Sequence, residues 1–313
     1  METETIIELS HVKKEYHMGN ETINAVDDVS FTINKGEFCC LLGTSGSGKS
    51  TLLNLMAGIE TVTSGKIVIK GKNIPDMSEN GLAKFRQRFL GFVFQAYNLI
   101  PTMTALENVE FPLVFKRVPP RKRRRMAREM LKKVGLGNRL GHKPTEMSGG
   151  QQQRVGIARA FVGKPEIVFA DEPTGNLDTK TTKEVMDLIK QMAKENKQTI
   201  IMVTHDRSLA AYADKIIHIS DGQIRKIELP GQEPILVPED MMIEVESESG
   251  AIQDVQEKVT EESVMLAETI EDKREIKQPE QNPERKTVLV KKIVVKRISL
   301  KELYQGSRKG RKG

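Results

Sequence analysis

The strongest constraint on this chain is an eight-residue run, Gly43-Thr44-Ser45-Gly46-Ser47-Gly48-Lys49-Ser50, set between two patterned segments. Before it lies an apolar stretch, Phe38-Cys39-Cys40-Leu41-Leu42, that reads as a strand. After it, from about Ser50 through Thr51 to Ala57, the spacing is helical. The run matches G-x-x-x-x-G-K-[ST], and strand then helix is the context that pattern requires. Glycines let the backbone wrap closely around phosphate oxygens, with successive amides pointing inward. The start of the following helix adds partial positive charge. Lys49 is expected to reach the β and γ phosphates and the Ser50 hydroxyl to ligate Mg²⁺, with Thr51 completing the cradle. Taken alone, the run says nucleotide binding; a kinase, a GTPase, a motor or a transporter ATPase would all satisfy it.

Around this loop the first 228 residues alternate between strand and helix patterns. Strands are expected at Ile6–Leu9, Phe38–Leu42, Ile67–Ile69, Ile167–Ala170, Thr199–Val203 and Lys215–Ile219. Helices are expected at about Asn80–Phe89, Arg121–Val134, Gln152–Phe161 and Thr181–Lys194. Continuous apolar strands separated by helices imply an α/β fold with a parallel sheet covered on both faces. Cys39 and Cys40 are adjacent and are the only cysteines, so they build neither a disulfide framework nor a four-ligand zinc site. They read as buried, reduced thiols. No apolar run is long enough to cross a membrane, and the acidic start, Met1-Glu2-Thr3-Glu4, does not resemble a secretory signal.

Two further segments choose among the nucleotide-binding readings. Ile167-Val168-Phe169-Ala170-Asp171-Glu172 is an apolar strand ending in two acids. In a parallel sheet its carboxyl end sits beside the phosphate loop. Asp171 is then placed to hold Mg²⁺, usually through water, and Glu172 to polarise the water that attacks the γ phosphate. Met147-Ser148-Gly149-Gly150-Gln151 precedes another helix and makes a second anion-binding helix end. One ATP needs only one phosphate loop, so the natural user of the second end is a partner chain's ATP.

With these residues in place the sequence resembles the ATP-binding cassette of ABC transporters over about residues 5–228. The resemblance implies a RecA-like core with an antiparallel β subdomain and an α-helical subdomain, in head-to-tail homodimers that sandwich two ATP molecules. Gln95, in Gly91-Phe92-Val93-Phe94-Gln95, resembles the Q-loop glutamine that touches Mg²⁺ and the lytic water. Asp178 resembles the D-loop aspartate, and is equally compatible with a helix N-cap. His205 resembles the switch histidine at the γ phosphate, and Tyr16 the aromatic that stacks on adenine. Met147 stands where the family usually has leucine, an apolar-for-apolar change. The stretch from Leu99 to Val109, together with Asp171-Glu172-Pro173-Thr174-Gly175-Asn176-Leu177-Asp178, is similar to the lipoprotein-releasing and macrolide-exporter branch, with the cell-division ATPase close by. The implied partner is an integral membrane permease and the implied location cytoplasmic, peripheral on the inner face of the cell membrane. The alternative is a cell-division-type or other non-transport ABC ATPase.

Charge divides the chain. Residues 1–230 carry +8, residues 231–284 carry −12 and residues 285–313 carry +10, which together give the net +6. The expected division is a cassette at 1–229, with its helical subdomain at about 96–160, and an extension at 230–313 that is acidic, then basic, and largely flexible. A weak helical period at 252–265 and an apolar, β-branched run at 287–300 are its only patterns, and the basic end is a candidate for contact with anionic lipid or a protein partner. A second basic run, Arg121 to Arg125 with Arg128, Lys132 and Lys133, falls on an expected helix and has no aromatic stacking platform, so nucleic-acid binding is not expected.

Overall fold

The computed structural model describes residues 4–19, 21–230 and 235–236. The expected patterns at 252–265 and 287–300 lie outside the described residues. Two long antiparallel strands, β1 (Thr5–Met18) and β2 (Glu21–Asn34), precede β3 (Phe38–Leu42), the phosphate loop and α1 (Lys49–Met56). β4 (Ser64–Ile69) and β5 (Lys72–Asn73) return to β1, giving an antiparallel sheet of order β2-β1-β4-β5. Then α2 (Glu79–Phe89), capped by the Ser78 hydroxyl, runs into β6 (Leu90–Phe94). α3 (Ala105–Phe115), α4 (Pro120–Lys133) and α5 (Gly149–Phe161) form a helical lobe. β7 (Ile167–Asp171), α6 (Thr179–Asn196), β8 (Thr199–Thr204), a short α7 (Arg207–Ala210) and strands β9 (Lys215–Ser220), β10 (Gln223–Glu228) and β11 (Ile235–Leu236) complete the described order.

The second sheet has the order β11-β10-β9-β3-β8-β7-β6. Its strands from β9 to β6 are parallel, as the continuous apolar runs imply. β10 and β11 pair antiparallel, which those runs did not reveal. The cause is the link between β9 and β10, the two residues Asp221-Gly222, both at positive φ (51° and 76°). A two-residue turn of that kind joins only antiparallel neighbours.

Alternation along the central strands builds two cores. Phe38, Cys40 and Leu42 of β3 face one apolar cluster, together with Val168 and Ala170 of β7, Ile200 and Met202 of β8, and the helices of the lobe. Cys39, Leu41, Ile167, Phe169, Ile201 and Val203 face the other, filled from the antiparallel sheet and from α1 and α2. Both thiols are fully buried, and burial pushes the Cys40 thiol up to about 12, so both remain protonated and unreactive. A buried ion pair fastens the base of the central sheet: Lys215, only 2% exposed, reaches Glu37 at 2.8 Å and the Thr32 carbonyl at 2.9 Å.

Two elements carry no clear period in the sequence. β2 is exposed over its first four residues. α3 is apolar on almost every side, so it has no amphipathic stripe, but a Thr104/Glu107 capping box marks its start. No described helix is long and apolar enough to cross a membrane.

Candidate active site

The phosphate loop lies at the carboxyl end of β3 and opens into a cleft of about 1120 Å³. Backbone sterics dictate its glycines. Gly48 has φ 93°, and a Cβ there would sit 2.1 Å from the Ala25 carbonyl oxygen. Gly43 has the same conflict with the Ile219 carbonyl oxygen, also at 2.1 Å. Gly48 is the N-cap of α1 and no side chain caps the helix, so the first amides of α1 remain available to an anion. Lys49 is 6% exposed. Its Nζ donates to the Thr44 carbonyl at 2.5 Å and approaches the Ser47 hydroxyl at 3.4 Å, folding the ammonium back over the loop. Burial lowers the Lys49 pKa, and the carboxylates of Glu172 and Asp171 partly offset that.

β8 separates β3 from β7, yet the ends of the strands converge. The Ser50 hydroxyl donates to Asp171 Oδ1 at 3.2 Å. Burial raises the pKa of Asp171, and Glu172 beside it adds to the rise, against the hydrogen bond from Ser50. Glu172 follows at φ 45°, a rare conformation for a non-glycine residue, with its amide fixed to the Val203 carbonyl at 3.0 Å. His205 Nδ1 lies 2.8 Å from Glu172 Oε1, and the Thr204 hydroxyl donates to Oε2 at 3.3 Å. Both oxygens of Glu172 are thereby held, and Gln95, Glu172 and His205 line the cleft together with the phosphate loop.

Other expected site residues are not among those that line the cleft. Ser148 is the N-cap of α5, in a capping box with Gln151, and residues 148–151 do not line the cleft. Asp178 caps α6, accepting from the Thr181 amide at 3.0 Å and the Thr181 hydroxyl at 2.6 Å, and these bonds lower its pKa. Tyr16 sits on β1 with its hydroxyl bonded to Glu60 and Lys14 Nζ 4.9 Å from its ring centroid. The cleft near it is lined instead by Ile23, Asn24 and Ala25.

Several contributors carried no motif signal. Thr204 orients Glu172 and could have been found only as the immediate neighbour of His205. Asn176 Nδ2 donates to the Gln95 carbonyl at 3.2 Å. Arg159 of α5 donates to the carbonyls of Tyr97, at 2.8 Å, and Asn98, holding two positive-φ residues just after Gln95. A Cβ on Gly149 would come within 2.8 Å of the Tyr97 hydroxyl, so the segment after Gln95 and the start of α5 abut.

Fold and cleft define a phosphate-loop nucleoside triphosphatase. The family described as ABC transporter matches residues 26–175. An uncharacterized ABC transporter ATP-binding protein of Thermotoga maritima is 46% identical over 226 residues, covering 72% of this chain and 96% of that protein. The macrolide export ATP-binding/permease protein MacB of Hyphomonas neptunium is 44% identical over 222 residues, 71% of this chain but 34% of that longer protein. Among solved structures, the dimeric post-hydrolysis state of the ATP-binding cassette MJ0796 bound to ADP and Pi matches with a TM-score of 0.68 at 43% identity, covering 72% of this chain and 98% of that one. MJ0796 is a protein of Methanocaldococcus jannaschii. This chain belongs to the ATP-binding proteins of ABC transporters. It is the ATP-hydrolysing subunit of such a system, the transport reading of those left open by the sequence.

Proposed function

We propose that two copies of this chain associate head to tail, each ATP held between the phosphate loop of one and Ser148–Gln151 of the other, and that this cycle drives a membrane permease of the lipoprotein-release or macrolide-export type. The observation that carries the reading is the position of Ser148–Gln151. A glycine-led helix start lies outside the cleft formed by its own chain's phosphate loop, Gln95, Glu172 and His205. A second copy supplies the anion it faces. The MacB relative, which joins an ATP-binding part to a permease in one protein, supports a permease partner and a peripheral place on the inner face of the membrane.

The residues divide the work. Amides of Thr44 to Thr51 and the Lys49 ammonium bind the phosphates. Lys49 leaves its internal bond to Thr44 for a better, anionic partner. Glu172, held at both oxygens, accepts a proton from the attacking water, and His205 is placed to follow the γ phosphate while steadying Glu172. Ser50, Asp171 and Gln95 suit Mg²⁺. A hydroxyl, a carboxylate whose ionised form is under-stabilised and an amide oxygen match a cation that keeps waters and phosphate oxygens for its remaining ligands. When bound, Mg²⁺ neutralises charge developing on the phosphates. Arg159 and the contact of Tyr97 with Gly149 make the Gln95 loop and the start of α5 one mechanical unit. Occupation of the cleft is thereby felt in the helical lobe.

Glu172→Gln is expected to give a stable ATP-bound dimer on size exclusion with negligible phosphate release, and Lys49→Ala to abolish turnover. A Glu172→Gln protein that stays monomeric at saturating ATP, while the unaltered chain hydrolyses it, would refute the sandwich.

A further inference from the structure

We infer that the exposed face of α4, with the end of α3, is a docking surface for the anionic phospholipid headgroups of a bilayer. Arg121, Arg124, Arg125, Arg128 and Lys132 are all exposed. At 3.6 residues per turn they fall within about 100° of arc and extend roughly 16 Å along the helix. Ala127 and Leu131, on the flank beyond Arg124, are buried in the lobe's core, so the helix is anchored with this stripe outward. Among the described residues, Arg121, Arg124, Arg128 and Lys132 form no ion pair, and Arg125 has only a 3.9 Å contact with exposed Glu129.

This arrangement works against the helix that carries it. α4 has no acid in its first turn, so Arg121, Lys122 and Arg123 meet the positive end of the helix dipole. Arg121 with Arg125, Arg124 with Arg128 and Arg128 with Lys132 are like-charge neighbours four apart. A flat array of phosphates relieves both penalties at once. The second observation lies next to it. α3 ends in Val114 and Phe115, 45% and 57% exposed, just before the short link to α4. Exposed aromatic and aliphatic side chains beside a basic helix suit the headgroup–acyl boundary and do nothing for a nucleic-acid backbone. Phe115, edge-on to Phe111, is a single exposed ring beside the stripe rather than the row of ring faces on which a single-strand binder stacks successive bases.

The surface deepens the peripheral placement proposed above, and it is tested without a permease so that the two can fail separately. The full-length chain is floated with vesicles of phosphatidylcholine alone and of phosphatidylcholine with phosphatidylglycerol, at low and high salt. Expected is binding only to the anionic vesicles, weakened by salt. Changing Arg121, Arg124 and Arg128 together to Gln should weaken it roughly a hundredfold, at about fivefold per charge. Arg128→Gln alone should cost about fivefold, and Phe115→Ser should lower binding further at any salt. Changing Lys66, Lys72 and Lys84 to Gln, three exposed cations far from α4 in sequence, should cost at most a few-fold. ATP hydrolysis without vesicles should be unchanged in every variant, which also reports folding. The proposal is overturned if the α4 variants float as the unaltered chain does, leaving the basic end of the chain as the binding element. It is equally overturned if binding ignores salt, or if the variants lose affinity for poly(U) RNA but not for vesicles.

Discussion

Asn108 gives the sharpest test of how the helical lobe is held. Its side chain is fully buried on α3 and makes four bonds to the loop before the helix. Oδ1 accepts from the Ile100 amide at 2.8 Å, and Nδ2 donates to the carbonyls of Ile100, Met103 and Thr104 at 3.1–3.2 Å. The cost of Asn108→Ala follows from which partners survive. The Ile100 carbonyl keeps the Met103 amide at 3.1 Å and the Thr104 carbonyl keeps the Asn108 amide at 2.9 Å. The Ile100 amide and the Met103 carbonyl are the groups left stranded. A stranded buried group costs about 1–3 kcal/mol, and both residues are half-buried, so water relieves part of it; the loss should be about 2–4 kcal/mol. In urea, with m of about 2–3 kcal/mol/M for a domain of this size, the midpoint should fall by roughly 1 M with m unchanged. Asn108→Asp keeps the acceptor but faces a carboxylate to three carbonyl oxygens, and should be at least as destabilising at neutral pH. An alanine variant that loses under about 0.5 kcal/mol, or an aspartate variant as stable as the unaltered chain, would refute this reasoning.

Asp171→Asn should abolish hydrolysis yet raise the melting temperature at neutral pH. Because the folded pKa of Asp171 is raised, its ionised form costs stability above that pKa, and the gain from Asn should fade as pH falls through it; a lower melting temperature at neutral pH would contradict the assignment. Lys215→Met should cost about 3–5 kcal/mol by leaving Glu37 uncompensated, while the double change with Glu37→Leu recovers most of it in denaturation midpoints; equal losses in single and double variants would remove the ion pair as the cause. Gly48→Ala should eliminate nucleotide binding by calorimetry, since neither φ 93° nor the 2.1 Å approach to Ala25 admits a Cβ; retained affinity would mean the loop rearranges freely.

Sequence by itself determined the chemistry of this protein wherever that chemistry is local. Gly43 to Ser50, the strand ending in Asp171-Glu172, and Ser148–Gln151 at a helix start are each short runs whose residues stay neighbours in the fold, so spacing along the chain carries the information. Apolar runs likewise announced β3, β7, β8 and β9, because a strand buried on both faces is apolar at most positions. The tertiary structure alone decided what depends on pairing across long separations. It showed that Thr204 and His205 hold the two oxygens of Glu172 from a neighbouring strand. It placed Tyr16 against Glu60 while Ile23 to Ala25 line the cleft. It also joined Arg159 to the backbone after Gln95, across 61 and 62 residues. Those contacts join single side chains far apart along the chain, so no period or local spacing records which of them meet, and only the packing of the two cores brings them together.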